Sequence, residues 1–220
     1  TWQNVQIRHI ETEDFDHGGT RDGAASLLDG DLILFMTQDA VPADVYLVEK
    51  LVSAFEKEKV AAAYARQLPD KDCDIIERYT RSFNYPKESS VKTKADLDRL
   101  GIKTFFCSNV CAAYRKSEYD ALGGFPLHTI FNEDMIFASH LIEEGKKRKI
   151  LSSMEIDLLN IAASIITFFV FSVISVSTPP ITPAKPIGSF PLEITISSVD
   201  NILSMLSKVV NFSESFAILT

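Results

Sequence analysis

Residues 30–42 read GDLILFMTQDAVP and contain an unbroken apolar run from Leu32 to Met36. A strand with one face in water alternates apolar and polar residues, whereas a strand covered on both faces reads as continuous apolar sequence. The run ends at the polar residues 37–39, and Pro42 is typical of the first turn of a helix. The stretch therefore predicts a buried strand followed by a helix.

The flanking sequence extends this alternation of strands and helices. The helix after Pro42 is predicted to reach about Lys57, because apolar residues recur at helical spacing: Val45, Val48, Leu51, Val52 and Phe55. A second buried strand is predicted at residues 60–65. The remaining predicted elements are a strand at 5–10, a helix at 24–28, a strand within 105–114 and a helix at 135–144. Strand, helix and strand in this order predict an α/β fold whose successive strands run parallel.

Composition restricts the class of protein. The chain has 220 residues and a formal net charge of −8, which argues against a nucleic-acid-binding protein, since that function needs a basic face. Hydrophobic residues make up 46% of the chain, which excludes a disordered one. The three cysteines fit a reducing compartment, and Cys107 and Cys111 are interpreted as buried thiols.

Charge is distributed unevenly along the chain. Forty-five of the charged residues lie in the first 150 positions, and only seven lie in the last 70. Residues 158–178 carry no charge and follow the basic residues 146–149, a pattern typical of a membrane span with the preceding domain in the cytoplasm. The alternative is that residues 150–220 are out-of-frame or foreign sequence. We therefore divide the chain into a domain at 1–149 and a tail at 150–220.

Three clusters carry residues suited to chemistry. Asp39 follows a buried strand, where a carboxylate can hold Mg²⁺ or Mn²⁺ against a diphosphate; the alternative is a turn or helix cap. Glu133 and Asp134 open the last helix, where burial would raise one pKa toward that of a general base; the alternative is ordinary capping. Residues 15–21, FDHGGTR, read as a polar loop that either binds a ligand or is only a loop.

In combination these motifs resemble the family-2 glycosyltransferases of the GT-A fold, and within them the bacterial rhamnosyltransferases that build cell-surface polysaccharides. The likeness spans about residues 5 to 149. The matching stretches are 15–21, 30–42, Ser108–Asn109, Tyr114–Arg115, 123–125 and 132–134. The resemblance implies a Rossmann-like parallel or mixed sheet. In this family a strand, a helix and a second strand bind the base and ribose of the donor, and the strand at 5–10 resembles the second of these strands. The resemblance therefore implies that roughly 35 residues of the nucleotide pocket, the usual length of such a unit, would precede it.

The resemblance implies a role for each matching residue. Asp134 corresponds to the catalytic base, and Asp39 to the carboxylate that binds the metal, Mg²⁺ or Mn²⁺, together with the donor. Thr37 stands where many members have another Asp. The donor-binding side would include His17, Arg21, Gln38 and Asp39, and the acceptor side Gly124, Phe125 and Glu133.

The implied activity is inverting transfer of a sugar from a nucleoside-diphosphate sugar, with dTDP-rhamnose as the expected donor. The acceptor would be a polysaccharide or a lipid-linked glycan, and the protein would be cytoplasmic or attached to the inner membrane face. The alternative is an inactive, membrane-attached fragment that only binds nucleotide or a partner protein.

Overall fold

The computed structural model describes residues 5–6, 8–37, 40–56, 59–144, 149–158, 171–176 and 192–195. The α-helices are α1 (His17–Ala25), α2 (Leu47–Ala54), α3 (Ile75–Asn84), α4 (Leu97–Leu100), α5 (Lys116–Ala121) and α6 (Glu133–Glu144). The strands are β1 (Val5–Gln6), β2 (Leu32–Thr37), β3 (Ala40–Pro42), β4 (Val60–Leu68), β5 (Ser90–Lys92), β6 (Cys111–Arg115), β7 (Lys149–Leu158), β8 (Phe171–Val176) and β9 (Leu192–Thr195).

Within the described residues, the strands form one mixed sheet in the order β1-β9-β8-β2-β6-β4-β7-β3, and β5 also pairs with β7. The predicted α/β fold is therefore confirmed. β2 and β4 run in the same direction, as predicted, but β6 lies between them and is antiparallel to both, so the sheet is mixed and not wholly parallel. Parallel pairing occurs instead between β4 and β7 and between β1 and β9.

The predicted buried strand at Leu32–Met36 is confirmed, since every residue in it is at most 4% exposed. Ile33 and Phe35 belong to the core that α1, α5 and α6 form on one side of the sheet. Because side chains alternate along a strand, Leu32, Leu34 and Met36 face the opposite side. Both faces of the strand are covered, as its unbroken apolar sequence predicts.

Three predicted helices have different bounds in the structure. The helix after Pro42 begins at Leu47, because residues 40–42 pair with β7 as strand β3 instead of entering the helix. The loop predicted through Arg21 is also wrong, because α1 already begins at His17. The strand predicted within 105–114 is confirmed only from Cys111 onward. The helix predicted at 135–144 begins two residues earlier, at Glu133.

The tail is described only in part. Residues 159–170 and 177–178 of the predicted membrane span lie outside the described residues, and Phe171–Val176 forms β8. Among the helices described here, none has the length and apolar character that crossing a membrane requires. The division at residue 149 and the origin of the tail stay predictions. All three cysteines lie in the described part and are free, and Cys107 and Cys111 are buried, as predicted; Cys73 is buried as well.

Candidate active site

Asp16 fixes the start of α1 and joins it to a distant loop. Its Oδ1 accepts a hydrogen bond from the backbone N–H of Gly19 at 2.6 Å, which caps the helix. Its Oδ2 accepts one from the backbone N–H of His128 at 3.0 Å. This single carboxylate therefore holds residues 17–21 against the segment that leads into α6.

Gly18 allows these two segments to approach each other. A Cβ added at this position would overlap the backbone carbonyl oxygen of Pro126. The glycine pair in residues 18–19 thus serves contact between two backbone segments of the protein. In the same region Gly124 has φ +75°, and a Cβ there would meet the carboxylate of Asp22.

Arg21 lies inside the protein, where it forms a buried ion pair. Its side chain is 5% exposed, and its guanidinium donates to Oε1 of Glu133, whose side chain is 7% exposed. The guanidinium also donates to the backbone carbonyl of His17 at 3.3 Å. Burial lowers the pKa of Arg21 from its ordinary value, and the Glu133 carboxylate counteracts that effect. The pair connects α1 to the first residue of α6.

Asp134 is held by backbone amides beside this pair. Its Oδ2 accepts a hydrogen bond from the Asn109 N–H at 2.9 Å, and its Oδ1 accepts one from the Met135 N–H at 2.7 Å. Burial raises the pKa of Asp134 to about 6 and outweighs the two amides and Arg21, which lower it; the Glu133 carboxylate raises it further. A carboxylate with this pKa is ionised at pH 7 and can still accept a proton readily.

Asn109 connects the two carboxylates. Its backbone binds Asp134, and its side-chain amide donates to Oε1 of Glu133 at 3.3 Å. Its Oδ1 in turn accepts a hydrogen bond from the hydroxyl of Tyr114 at 2.8 Å. The sequence gives no functional assignment to Asn109, although the residue lies in one of the stretches that carry the family resemblance. Its signal is the polar pair Ser108–Asn109 just before a buried strand.

The structure buries two of the predicted acceptor-side residues, Phe125 and Glu133, whereas Gly124 is half-buried. Phe125 is 2% exposed and packs among core aromatic rings, with Phe35 and Phe137 at centroid distances of 5.1 and 5.3 Å. Its backbone N–H donates to the Tyr119 hydroxyl at 3.3 Å. Glu133 is paired as described above. As placed, neither side chain is available to contact an acceptor.

Exposed apolar side chains occur instead on the segment between Phe125 and α6. They are Leu127, Ile130 and Phe131, which are 56%, 77% and 70% exposed. The Phe131 ring lies 6.4 Å from the His17 ring, measured between centroids. His17 is half-buried, and burial together with Arg21 lowers its pKa, so it is neutral at pH 7. His17 and Phe131 thus flank the start of α6.

The predicted metal-binding segment is only partly described. Gln38 and Asp39 lie outside the described residues, and their roles stay predictions. Thr37, the last residue of β2, has a buried hydroxyl with no hydrogen-bond partner among the described residues. The described residues, which do not include Asp39, contain no group of three His, Cys, Asp or Glu side chains arranged to hold a metal. Thr37 stands two positions before Asp39 in the sequence. Hydroxyl and carboxylate oxygens are ligands of the kind that Mg²⁺ and Mn²⁺ prefer.

Comparison with known proteins identifies the family. Residues 1–123 match the description "Glycosyl transferase family 2", and the chain belongs to this family. The resemblance inferred from the motifs is confirmed, and with it the GT-A class of the fold.

Two curated relatives are similar to about two thirds of the chain. The O-antigen chain rhamnosyltransferase RfbN of Salmonella typhimurium is 49% identical over 146 residues, which are 66% of this chain and 46% of that protein. The O-antigen chain rhamnosyltransferase WbaN of Salmonella anatum is 46% identical over 139 residues, which are 63% of this chain and 44% of that protein. The match therefore spans less than half the length of either relative. No solved structure matches the chain at comparable significance.

Proposed function

We propose that residues 1–149 form part of a GT-A domain that catalyses inverting transfer of a sugar, rhamnose, from dTDP-rhamnose to a polysaccharide or lipid-linked glycan. Both relatives are named as O-antigen chain rhamnosyltransferases, which supports rhamnose as the sugar and cell-surface glycan synthesis as the pathway class. The observation that carries the reaction type is the environment of Asp134, a buried carboxylate with two backbone donors and a pKa of about 6.

Asp134 is the proposed catalytic base. It takes the proton from an acceptor hydroxyl while the hydroxyl oxygen bonds to the anomeric carbon of the sugar. On the opposite face of the sugar the bond to the diphosphate breaks, and the nucleoside diphosphate leaves with the electron pair. Because attack and departure occur on opposite faces, the anomeric configuration is inverted.

Glu133, Arg21 and Asn109 are proposed as positioning residues. The Arg21–Glu133 pair fixes the first turn of α6, and Asn109 binds both carboxylates. Arg21 is turned into the protein, so we assign it to this pair in place of direct contact with the departing diphosphate. His17 remains on the donor-binding side, where its neutral ring can act as a hydrogen-bond partner.

Gln38 and Asp39 are proposed to bind the donor, with Asp39 and the Thr37 hydroxyl as the ligands offered to Mg²⁺ or Mn²⁺. When bound, such an ion neutralises the charge that develops on a leaving diphosphate. The acceptor side is proposed to comprise the Gly124 turn, with the exposed residues Leu127, Ile130 and Phe131 providing the surface that contacts the glycan. We place the reaction at the cytoplasmic face of the membrane, where a lipid-linked acceptor would be presented.

The test is donor turnover by the purified full chain. The assay contains dTDP-rhamnose, Mn²⁺ and a lipid-linked oligosaccharide, and released dTDP is measured. The proposal predicts release by the wild type and a loss of about 10²–10⁴-fold in Asp134→Asn, which keeps the shape of the base and removes its basicity. Calorimetry with dTDP should show unchanged nucleotide binding in this variant.

Two other outcomes have distinct meanings. Equal turnover by wild type and Asp134→Asn would refute the assignment of the base. If the wild type binds nucleotide but releases no dTDP, the result would support the alternative, an inactive fragment that only binds nucleotide. Asp39→Ala is expected to weaken the metal-dependent binding of dTDP, and binding that is unaffected by this substitution would refute the donor assignment.

A further inference from the structure

Tyr114 is a buried tyrosine in the central strand β6. Its backbone pairs with Ile33 of β2 on one side and with Ala62 of β4 on the other. The residue is 1% exposed, and its ring packs against the rings of Phe125 and Phe137, each at a centroid distance of 5.6 Å. Strand pairing on both edges and contact between the rings therefore fix the position of the Tyr114 hydroxyl.

The Tyr114 hydroxyl connects two buried polar groups. It donates to Oδ1 of Asn109 at 2.8 Å, and its oxygen lies 3.3 Å from Sγ of Cys107. A hydroxyl has one proton, so the Cys107 thiol is the donor of the second bond. Burial raises the pKa of both Tyr114 and Cys107, so both groups keep their protons at neutral pH. The hydrogen bonds therefore run in one direction, from Cys107 through Tyr114 to Asn109.

The side-chain amide of Asn109 has one orientation that satisfies both of its neighbours. Its Nδ2 donates to Oε1 of Glu133 at 3.3 Å, a carboxylate that also pairs with Arg21. In the reversed orientation the amide oxygen would face this carboxylate and repel it. Asn109 is 2% exposed, so bulk water does not replace the Tyr114 proton on its Oδ1. Without the Tyr114 hydroxyl, a buried acceptor would lack a partner, and displacement of Asn109 would relieve that cost.

We infer that Tyr114 is a positioning residue for the proposed transfer reaction, which acts by holding Asn109 and, through it, the two carboxylates at the start of α6. The backbone N–H of Asn109 binds Oδ2 of Asp134, and its side chain binds Glu133. One anchored residue thus sets the position of the proposed base relative to the sheet, and accurate placement of a reacting group contributes strongly to rate. The effect of Tyr114 on turnover rests on the proposed function of Asp134, whereas its effect on the hydrogen bonds is measured without any substrate.

The test variant is Tyr114→Phe, which removes the hydroxyl and keeps the ring. The matched control is Tyr64→Phe, a change at another buried tyrosine of the same core, whose hydroxyl accepts a hydrogen bond from Lys92 at 3.2 Å. Circular dichroism and urea unfolding check that both variants are folded under the assay conditions.

Two measurements are made on the purified full chain. NMR of the isotope-labelled protein follows the side-chain carboxyl of Asp134 through a pH titration and the exchange of the Asn109 backbone amide with solvent. Steady-state release of dTDP from dTDP-rhamnose, with Mn²⁺ and a lipid-linked oligosaccharide, gives kcat, and calorimetry gives the affinity for dTDP.

In Tyr114→Phe the Asn109 amide should exchange faster than in the wild type. The pKa of Asp134 should rise above about 6 by about 0.5–1 unit, because the Asn109 N–H lowers that pKa. The kcat should fall about tenfold, and the affinity for dTDP should stay unchanged. Tyr64→Phe should match the wild type in all of these quantities.

The shift in the pKa of Asp134 can be assigned to the hydrogen bond from Asn109. Glu133 and Arg21 are the charged groups that act on Asp134, and both variants retain them. The Cys107 thiol and the Tyr85 hydroxyl also interact with Asp134, and burial raises the pKa of each to about 12, so they stay neutral during the titration.

A double-mutant cycle tests whether Tyr114 acts through Asn109. In the Asn109→Ala background, Tyr114→Phe should change neither the kcat nor the pKa of Asp134 further. Equal changes in both backgrounds, or equal values for Tyr114→Phe and Tyr64→Phe, would overturn the inference. If the wild type releases no dTDP, the transferase proposal fails, and the two NMR readouts still decide whether Tyr114 holds Asn109 against Asp134.

Discussion

The backbone N–H of Asn109 donates to Oδ2 of Asp134 over 2.9 Å, although 25 positions separate the two residues. The bond connects the loop before β6 to the first turn of α6. It holds one oxygen of a carboxylate that burial makes unusually basic. The activity and stability of the chain should therefore both respond to the ionisation of this one group.

The pH dependence of turnover is the first consequence. A base must be ionised to accept a proton, so with the pKa of Asp134 at about 6 the rate should fall about tenfold per pH unit below that value. Because the Glu133 carboxylate raises the pKa of Asp134, Glu133→Gln should move this acidic limb to lower pH. Initial rates of dTDP release between pH 4.5 and 8 measure both effects. An acidic limb that stays at the same pH in Glu133→Gln would contradict the proposed coupling.

Stability should change with pH in the direction opposite to that of a typical surface carboxylate. The pKa of Asp134 is higher in the folded state than its ordinary value of 3.8, so the folded chain binds more protons between about pH 4 and 6. The contribution of this group to stability is then lost as the pH rises through that window. Asp134→Asn has only one acceptor oxygen for the two backbone N–H groups, so it loses a hydrogen bond at every pH. The pH-dependent part is separate: between pH 4 and 7.5 the wild type should lose up to about 3 kcal/mol of unfolding free energy relative to Asp134→Asn. Urea unfolding of both proteins at the two pH values tests this, and an equal stability difference at both values would refute it.

The buried Arg21–Glu133 pair should show strong coupling. Removing one partner leaves an uncompensated buried charge, so Arg21→Met and Glu133→Leu should each reduce the free energy of unfolding by about 3–5 kcal/mol. The double variant should lose clearly less free energy of unfolding than the sum of the losses in the two single variants. A parallel cycle on the pair of Lys116 and Asp120, whose carboxylate is 55% exposed, should give a coupling below about 1 kcal/mol. Equal coupling energies in the two cycles would show that burial does not set the strength of the Arg21 pair.

Two glycines of the same helix should respond to alanine with opposite signs. At Gly18 an added Cβ overlaps the Pro126 carbonyl, so Gly18→Ala should destabilise the fold by about 1–3 kcal/mol. At Gly23 no atom lies within 4 Å of the added Cβ, so Gly23→Ala should stabilise α1 by about 0.5–1 kcal/mol. Thermal unfolding of the two variants measures the difference. Similar melting temperatures would mean that the close contact between α1 and Pro126 does not exist in solution.

The sequence predicts those parts of the fold whose signals are local. The apolar run at Leu32–Met36 identifies a strand covered on both faces, and the spacing of residues after Met135 identifies α6. Local patterns fail where a distant segment decides the outcome. Residues 17–21 resemble a loop because glycine disfavours helices, yet the Asp16 cap and the contact with Pro126 make them helical. Pro42 suggests a helix start, yet pairing with β7 makes it part of a strand.

The residues of the candidate site also differ in whether a local sequence pattern reveals their role. Asp134 is recognisable because a carboxylate pair opens a helix within a matching motif. The roles of Asn109 and Arg21 depend on contacts across 25 and 112 positions, which no local pattern contains.

Phe131 provides the last test, since it is the exposed aromatic residue nearest in sequence to the proposed base. A flat apolar ring at the edge of a site can pack on the apolar face of a sugar, and the ring is 70% exposed. Phe131→Ala should therefore raise the KM for the acceptor by about tenfold, a loss of roughly 1.4 kcal/mol, and leave the affinity for dTDP unchanged. Because the side chain is exposed, the free energy of unfolding should change by less than about 0.5 kcal/mol. The control Phe83→Ala removes an exposed ring from helix α3 and should not alter the KM for a water-soluble acceptor analogue. If Phe131→Ala lowered dTDP affinity instead, the ring would belong to the donor side, together with His17.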